Sequence, residues 1–159
     1  MILSMPYVAQ SPYRNLCWAA CCSMVLGHYG RNVSVLGVLQ SVRGNGCANA
    51  APGSSCDAGV WPDEAFPHLG LRCDRVTGAA SVGNVQFEIN RNRPVEAYFA
   101  WDGGGNHVAV IAGVYDNGQL HIKDPLMGEG AVSHAYLMSA YGKGSWDLTF
   151  YNIEPHHDD

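Results

Sequence analysis

The sequence predicts one α+β domain, with helices in the first half of the chain and strands in the second. Apolar side chains recur at helical spacing behind residue 17. After Pro94 the chain becomes rich in β-branched and aromatic residues, and Asn117-Gly118 is a strong β-hairpin signal. Segregation of this kind favours α+β over alternating α/β. We expect a helical half at about residues 11–93 and a sheet half at about residues 94–153.

Composition bounds the domain count and excludes two classes of partner. The chain has 159 residues, of which 47% are hydrophobic, enough for one folded domain over residues 1–159. A net charge of -5, with only 9 Lys and Arg residues, makes nucleic-acid binding unfavourable. The apolar run at residues 108–115 is far shorter than the roughly 20 residues of a membrane-spanning helix, so no membrane partner is expected.

The first helix is predicted where polar, turn-forming residues give way to helix formers, and Cys17 lies at that change. A helix that begins at Cys17 places its thiol beside free backbone N–H groups and the positive end of the helix dipole. This environment stabilises a reactive thiolate. Apolar residues at helical spacing form a stripe along the helix, and Gly30 is expected to end it. The simpler alternative for Cys17 is a small buried hydrophobe.

The other elements of the first half are predicted from residues that typically begin or end helices. Residues 5–9 form an extended segment. Ser34 is a good N-cap for a helix at residues 35–42. Residues 44–59 form a loop long enough to be functional or tied down. Pro62, followed by two acids, begins a short helix that stops near Pro67 or Gly70. Residues 82–92 are weakly periodic and form the last helix of this half.

The second half is predicted as a sheet. Residues 95–101 are β-branched and aromatic, and residues 107–115 are apolar on both faces, as in a central strand with cover on each side. The Asn117-Gly118 turn returns the chain along residues 119–124. A helix or turn follows at residues 132–141, and residues 146–153 alternate as a last strand before a polar, frayed tail.

One histidine is placed to act as a general base. A cysteine nucleophile needs a base within about 3 Å. His28 lies about 16 Å from Cys17 along the same helix, at 1.5 Å per residue, and is too distant. His107 begins the most apolar strand, directly after a glycine-rich turn. The remaining histidines are predicted to be non-catalytic: His68, His121, His134, His156 and His157.

Asp124 is the candidate partner of His107. The hairpin brings the two ends near one another, and a small bulge would bring them into register. Asp124 would then accept a hydrogen bond from the His107 ring and orient it. Strand parity puts His121 on the opposite face of the same strand. The alternative for Asp124 is a turn residue before Pro125.

These motifs resemble a known family. Gln10 and Cys17-Trp18-Ala19-Ala20, with the apolar helix behind them, resemble the active-site helix of papain-like cysteine peptidases. The likeness is greatest to their compact bacterial C39-like and C70-like (AvrRpt2-type) branch. Residues 106–116 resemble the histidine strand of this family, and residues 120–125 the strand with the third catalytic residue. The resemblance spans roughly residues 5–151. It implies a papain-like fold, with the nucleophile helix packed against an antiparallel sheet.

The resemblance also implies roles for individual residues. Cys17, His107 and Asp124 would be catalytic. Gln10 would hold the oxyanion together with the Cys17 backbone N–H. Trp18 and Asn106 are expected to line the substrate cleft. Many papain-like enzymes carry Asn at the position of Asp124, whereas the compact bacterial relatives often carry Asp.

The other cysteines leave two possibilities open. Cys47 and Cys56 flank the long loop and would either close it as a disulfide or remain reduced. Cys21 shares a helix face with Cys17, and packing is its favoured role. We expect no metal or cofactor. Cys17 and Cys21 offer no close-spaced ligand pairs, and a thiolate–imidazolium pair makes a metal unnecessary.

The predicted function is a cysteine protease that hydrolyses peptide bonds through a thioester. By resemblance, its substrates would be proteins or peptides, with small residues such as Gly-Gly before the cut. The same triad would also support deamidation or acyl transfer, and an inactive C39-like binding module is the third alternative.

The biological role expected from the sequence is that of a delivered bacterial effector or toxin. Residues 1–6 lack the basic and apolar regions of a signal peptide. We therefore expect a domain that is secreted or delivered as part of a larger protein, with a cognate immunity protein as a partner. A transporter peptidase domain is the second possibility, and a free-standing secreted protease is the third.

Overall fold

The computed structural model describes residues 1–156, so His157 and the last two residues of the predicted tail lie outside it. Helices come first along the chain and are followed by most of a six-stranded antiparallel sheet. The predicted α+β class is confirmed. The helix that carries Cys17 packs against the sheet, as expected for a papain-like fold.

The first helix, α1 (Cys17–His28), begins at the predicted residue, and Gly30 follows it in the left-handed region with φ of 82°. The expected single apolar stripe is wrong, because every residue from Trp18 to Leu26 is buried. A helix that is apolar all round lies in the centre of a core. A Cβ at Gly27 would lie 2.6 Å from Pro6 Cγ, so glycine lets the N-terminal segment cross the helix closely.

The other helices are short and begin mostly at serine caps. The side chains of Ser34, Ser81 and Ser133 each accept a hydrogen bond from a backbone N–H in the first turn of their helix. Two turns of 3-10 helix follow the second and third helices. The helices after the first are α2 (Val35–Arg43), α3 (Pro62–Ala65), α4 (Val82–Asn90) and α5 (His134–Met138).

The sheet has the order β1-β6-β2-β3-β4-β5, so the last strand lies between the first and the second. No strand was predicted at β1 or β5, which form the two edges. The last strand also runs through Glu154 to Pro155, two residues that were predicted to be frayed. The strands are β1 (Leu71–Thr77), β2 (Val95–Trp101), β3 (Asn106–Val114), β4 (Leu120–Asp124), β5 (Gly128–Val132) and β6 (Gly144–Pro155).

Two apolar layers enclose the sheet, one on each face. Val108 and Val110 face the layer that contains α1 and α2, and Ala109 and Ile111 face the layer that contains α4 and α5. β3 is therefore covered on both sides, as predicted. The pairing of β3 with β4 shifts register between Ile111 and Gly113. This bulge is the irregularity that was expected between His107 and Asp124.

Candidate active site

The cleft at the junction of helix and sheet contains both predicted reactive residues. Cys17 is the first residue of α1 and is half-exposed, and His107 is the second residue of β3 and is buried. Both line an open cavity of about 340 Å³. The predicted cleft residues Trp18 and Asn106 line the same cavity. The fold thus brings together residues that lie 90 positions apart in the sequence.

His107 is held by Asp124. His107 Nε2 lies 2.6 Å from Asp124 Oδ1, and Asp124 is fully buried. Burial lowers the pKa of His107. The hydrogen bond to Asp124, the negative charge of Asp124 and the nearby Cys17 sulfur outweigh burial and raise the pKa of His107 to about 9. The ring is therefore an imidazolium at neutral pH, with a thiol on one side and a carboxylate on the other.

Asp124 has a second function besides contacting His107. Its Oδ1 also accepts hydrogen bonds from the backbone N–H groups of Leu126 and Met127, at 2.9 and 3.1 Å. Tyr141 donates its hydroxyl to Oδ2 at 2.6 Å. Burial raises the pKa of Asp124, but the bonds from His107 and Tyr141 outweigh it and hold the pKa below its ordinary value. Asp124 is thus both the turn residue and the partner of His107.

Two aromatic side chains stack on the His107 ring and hold its orientation. The Trp101 ring lies 5.5 Å from it at 22°, and the Phe99 ring lies 6.3 Å from it at 20°. Neither Trp101, Phe99 nor Tyr141 was singled out from the sequence. All three come from strands or turns outside the motifs. The two-residue spacing of Phe99 and Trp101 along β2 was the one available signal, because it indicates that their side chains share one face of the sheet.

The thiol lies at a helix terminus that has free donors. The first α-helical bond of α1 runs from Ala20 N–H to the Leu16 carbonyl. The preceding N–H groups, including that of Cys17, therefore have no acceptor within the helix. Leu16 provides no side-chain cap, so these groups remain available. They can stabilise negative charge that develops beside the Cys17 sulfur.

Gln10 lines a second cavity with Pro125, not the cavity at Cys17 and His107, and its side chain is already engaged. Its side chain is buried, and Nε2 donates to the carbonyls of Tyr13 and Arg14 at 3.2 and 3.0 Å. Its Oε1 is buried without a hydrogen-bond partner. Its backbone N–H donates to the Pro125 carbonyl, beside Asp124. An oxyanion role would require one of the two side-chain N–H groups to change partner.

The long loop at residues 44–59 forms a wall of the cleft. A disulfide between Cys47 and Cys56 closes the loop. Asp57 accepts hydrogen bonds from the backbone N–H groups of Arg14 and Asn15, immediately before Cys17. Its role was not predicted. The indole Nε1–H of Trp18 donates to the Ala58 carbonyl at 2.9 Å. The loop therefore fixes the chain on both sides of the nucleophile.

The opposite end of the cleft is aromatic. The Trp61 ring stacks on Tyr98 at 4.8 Å, and the Arg75 guanidinium lies 5.4 Å from the Trp61 ring. Both rings line the cavity, together with the exposed backbone of Gly59 and Gly105. This end of the cleft therefore combines an aromatic wall with exposed backbone.

The remaining candidate groups lie away from the cleft. Cys21 is buried and its thiol donates to the Val108 carbonyl, so it has the predicted packing role. His121 contacts the Tyr115 hydroxyl at 2.6 Å and not His107 or Asp124. Within residues 1–156, no cluster of three metal-ligating side chains occurs. No helix there is long and apolar enough to cross a membrane.

A cysteine at a helix N-terminus that faces a histidine–aspartate pair on an antiparallel sheet defines a papain-like cysteine peptidase. The sequence profile of the Peptidase_C39 like family matches residues 2–152, and the chain belongs to this family. It is a cysteine peptidase of the C39-like branch. A comparison with curated protein sequences gave no match.

Solved structures show the same fold. One is described as a C39-like peptidase from Bacillus anthracis, with 18% identity and a TM-score of 0.64 over 97% of this chain and 98% of that chain. Another is a double glycine motif protease from an AMS/PCAT transporter in complex with the leader peptide. It has 17% identity and a TM-score of 0.59, over 97% of this chain and 94% of that chain.

Proposed function

We propose that this peptidase hydrolyses peptide bonds of protein substrates with Cys17 as nucleophile, His107 as acid and base, and Asp124 as the residue that orients His107. The observation that carries the proposal is the 2.6 Å bond between His107 Nε2 and Asp124 Oδ1, on a ring that lines the same cavity as Cys17. A nucleophile, a base and an orienting group in this order form a complete catalytic triad.

The reaction follows from the charges of these groups. The Cys17 thiolate attacks the substrate carbonyl carbon while the His107 imidazolium is its counter-ion. His107 then gives its proton to the leaving amine, the C–N bond breaks, and a thioester remains on Cys17. Neutral His107 next takes a proton from water, and the water oxygen attacks the thioester. The C–S bond then breaks and the carboxylic acid product leaves, so that the Cys17 thiolate and the protonated His107 are both restored.

The oxyanion would be held first by the helix terminus. The Cys17 backbone N–H has no intrahelical acceptor and adjoins the sulfur. Gln10 is the second donor in this proposal. Its bond to the Tyr13 carbonyl is the longer of its two contacts, at 3.2 Å. Gln10 would donate to the oxyanion when this N–H leaves Tyr13 and turns toward the substrate.

The preference that we propose before the cut is for small residues, Gly-Gly in particular. The cleft is lined by two exposed glycines and by the stacked Trp61 and Tyr98 rings, so a substrate chain can approach the backbone of this wall closely. The structural neighbour described as a double glycine motif protease supports the same preference. That neighbour is bound to a leader peptide, and we propose that this chain also takes a peptide as its substrate.

We also place this peptidase outside the cell that makes it, as a delivered bacterial effector or toxin domain with an immunity protein over its cleft. The Cys47–Cys56 disulfide supports an oxidising compartment. The triad is already assembled and the cleft is open, so an active enzyme would harm its producer without a covering partner. Expression in the bacterial cytoplasm should arrest growth, whereas the Cys17→Ala variant should not. Equal growth of the two strains would contradict this role.

N-terminal mapping of a treated lysate tests the proposed reaction. Wild type is compared with Cys17→Ala, and Cys73→Ser is the matched cysteine control because Cys73 is half-buried and lies outside the cleft. We expect new N-termini with wild type and Cys73→Ser only, preceded by small residues. If Cys17 alkylates rapidly but no new N-termini appear, the triad performs deamidation or acyl transfer. If neither occurs, the domain is a binding module.

A further inference from the structure

Two exposed apolar side chains adjoin the catalytic pair without belonging to it. Leu126 is 57% exposed and Met127 is 47% exposed, and they directly follow the Asp124-Pro125 turn. Large apolar side chains with this exposure on an otherwise polar surface indicate a binding site when they are grouped. Here they are grouped, because both line one cavity of about 310 Å³ with Trp101, Gly103 and Lys143.

This surface is rigidly tied to the catalytic machinery. The backbone N–H groups of Leu126 and Met127 donate to Asp124 Oδ1, the oxygen that also contacts His107. Trp101 stacks on the His107 ring. A ligand on this surface would lose little binding energy to the ordering of the loop, since the backbone is already fixed.

The surface also reaches the other side of the turn. Leu126 lines a second cavity with Tyr7, Gln10 and Pro125. Tyr7 donates its hydroxyl to the Asp124 carbonyl at 2.6 Å, and the Gln10 N–H donates to the Pro125 carbonyl. Leu126 therefore borders two hollows, one lined by the proposed oxyanion donor Gln10 and one lined by Trp101, the ring that stacks on His107.

The proposed reaction fixes which part of the substrate meets this surface. His107 must donate its proton to the leaving nitrogen, so that nitrogen lies against the imidazole. The chain that follows the nitrogen then passes Trp101, which covers the ring. The cavity at Cys17, Trp61 and Tyr98 is left for residues before the cut.

From this arrangement we infer that Leu126, Met127 and Trp101 form the binding site for the substrate residue immediately after the scissile bond, and that this site selects a large apolar side chain. The inference rests on the proposed function. Lys143, at the rim, is the only charged residue that lines the cavity within the described part of the chain. The side chains of Trp101, Leu126 and Met127 provide apolar contacts. The peptidase would thus select substrates with small residues before the cut and a large apolar residue after it.

A matched pair of internally quenched peptides tests this inference. Both are built on one cut site found by N-terminal mapping, and they differ only in Leu or Ser immediately after the cut. Wild type should hydrolyse the Leu peptide with a kcat/KM about tenfold above that of the Ser peptide, in the range that hydrophobic pockets give. The Leu126→Ser/Met127→Ser variant keeps both backbone N–H groups and should hydrolyse the two peptides equally. Phe87→Ser, an equally exposed apolar residue on α4, should keep the wild-type ratio.

The outcomes separate this inference from the proposed function. Equal hydrolysis of both peptides by wild type would overturn the binding site and leave the triad in place. A preference that survives in the double variant would also overturn it, because another surface would then select the residue. No hydrolysis of either peptide or of any protein would overturn the proposed function, and the inference with it. Unchanged hydrolysis of the Ser peptide by the double variant shows that the variant is folded.

Discussion

The Tyr141 hydroxyl donates a 2.6 Å hydrogen bond to Asp124 Oδ2, while the other oxygen of the same carboxylate holds His107. Tyr141 is buried and has a left-handed backbone with φ of 61°. A non-glycine residue in this region is uncommon. Tyr141 adopts this conformation in the fold, and its hydroxyl lies within hydrogen-bond distance of the Asp124 carboxylate. In the proposed mechanism Tyr141 is a positioning residue, since it would act on His107 through Asp124.

Tyr141→Phe should lower kcat/KM about tenfold and lower the free energy of unfolding by about 1–3 kcal/mol, as expected for a lost bond to a charged group. Burial raises the pKa of Asp124, and the Tyr141 bond is one of those that lower it. The acid limb of the kcat/KM profile should therefore move to higher pH in the variant. Tyr115→Phe, which loses a hydroxyl contact with non-catalytic His121, is the control. An unshifted acid limb would leave Tyr141 with a purely structural role.

Replacing Asp124 by Asn or by Ala should have different effects. Asn keeps an acceptor for His107 and removes the charge, whereas Ala removes both. We expect Asp124→Asn to retain measurable activity and Asp124→Ala to lose on the order of 10³-fold in kcat. The pKa of His107, about 9 in wild type, should fall toward its ordinary value near 6.5 in both. The alkaline limit of activity should fall with it.

The alkaline limb of the kcat/KM profile, compared between wild type and Asp124→Asn, measures this shift. An alkaline limit that stays in place in Asp124→Asn would show that the Asp124 charge does not set the pKa of His107. Equal loss of activity in the Asn and Ala variants would show that charge, not orientation, is the main contribution of Asp124.

Glu96 should make the protein less stable as pH rises from about 4.5 to 8. Its carboxylate is fully buried in β2, with no hydrogen-bond partner on either oxygen, and burial raises its pKa to about 8. Between the two pKa values the unfolded chain loses this proton while the folded chain keeps it, so the free energy of unfolding falls by a few kcal/mol. Glu96→Gln should flatten this fall in urea titrations at pH 5 and 8.

The control for Glu96→Gln is Glu64→Gln, an exposed residue in the first turn of α3. It should keep the wild-type slope. His107 contributes a further decrease between about pH 6.5 and 9 in all of these proteins, because its pKa is raised in the folded state. A wild-type slope in Glu96→Gln would mean that Glu96 is ionised in the folded protein.

Asp57→Ala should disturb the approach to the nucleophile. The change leaves the backbone N–H groups of Arg14, Asn15 and Gly53 without their acceptor. We expect a loss of about 2–4 kcal/mol in the free energy of unfolding, since each orphaned donor costs about 1–3 kcal/mol where it stays buried. The alkylation rate of Cys17 should also fall. Asp116→Ala, in an exposed turn, should change neither quantity.

Local signals in the sequence predicted much of the fold. Ser34, Pro94, Gly30 and the Asn117-Gly118 turn act within a few residues, so they predicted where α1, α2, β2, β3 and β4 begin or end. The two edge strands carry no such signal. β1 is mostly exposed and β5 contains two glycines, so neither shows the apolar alternation of a strand. They are strands because β6 and β4 offer them hydrogen-bonding edges.

The sequence by itself determined the identity of Cys17, His107 and Asp124 as candidates, because a helix start, a strand start and a hairpin are local features. Only the tertiary structure decided which groups surround them. Tyr141, Trp101 and Asp57 reach the site from α5–β6, β2 and the long loop, and nothing near them in sequence marks them. Their roles arise from long-range packing, which brings together residues whose separation along the chain carries no periodic signal.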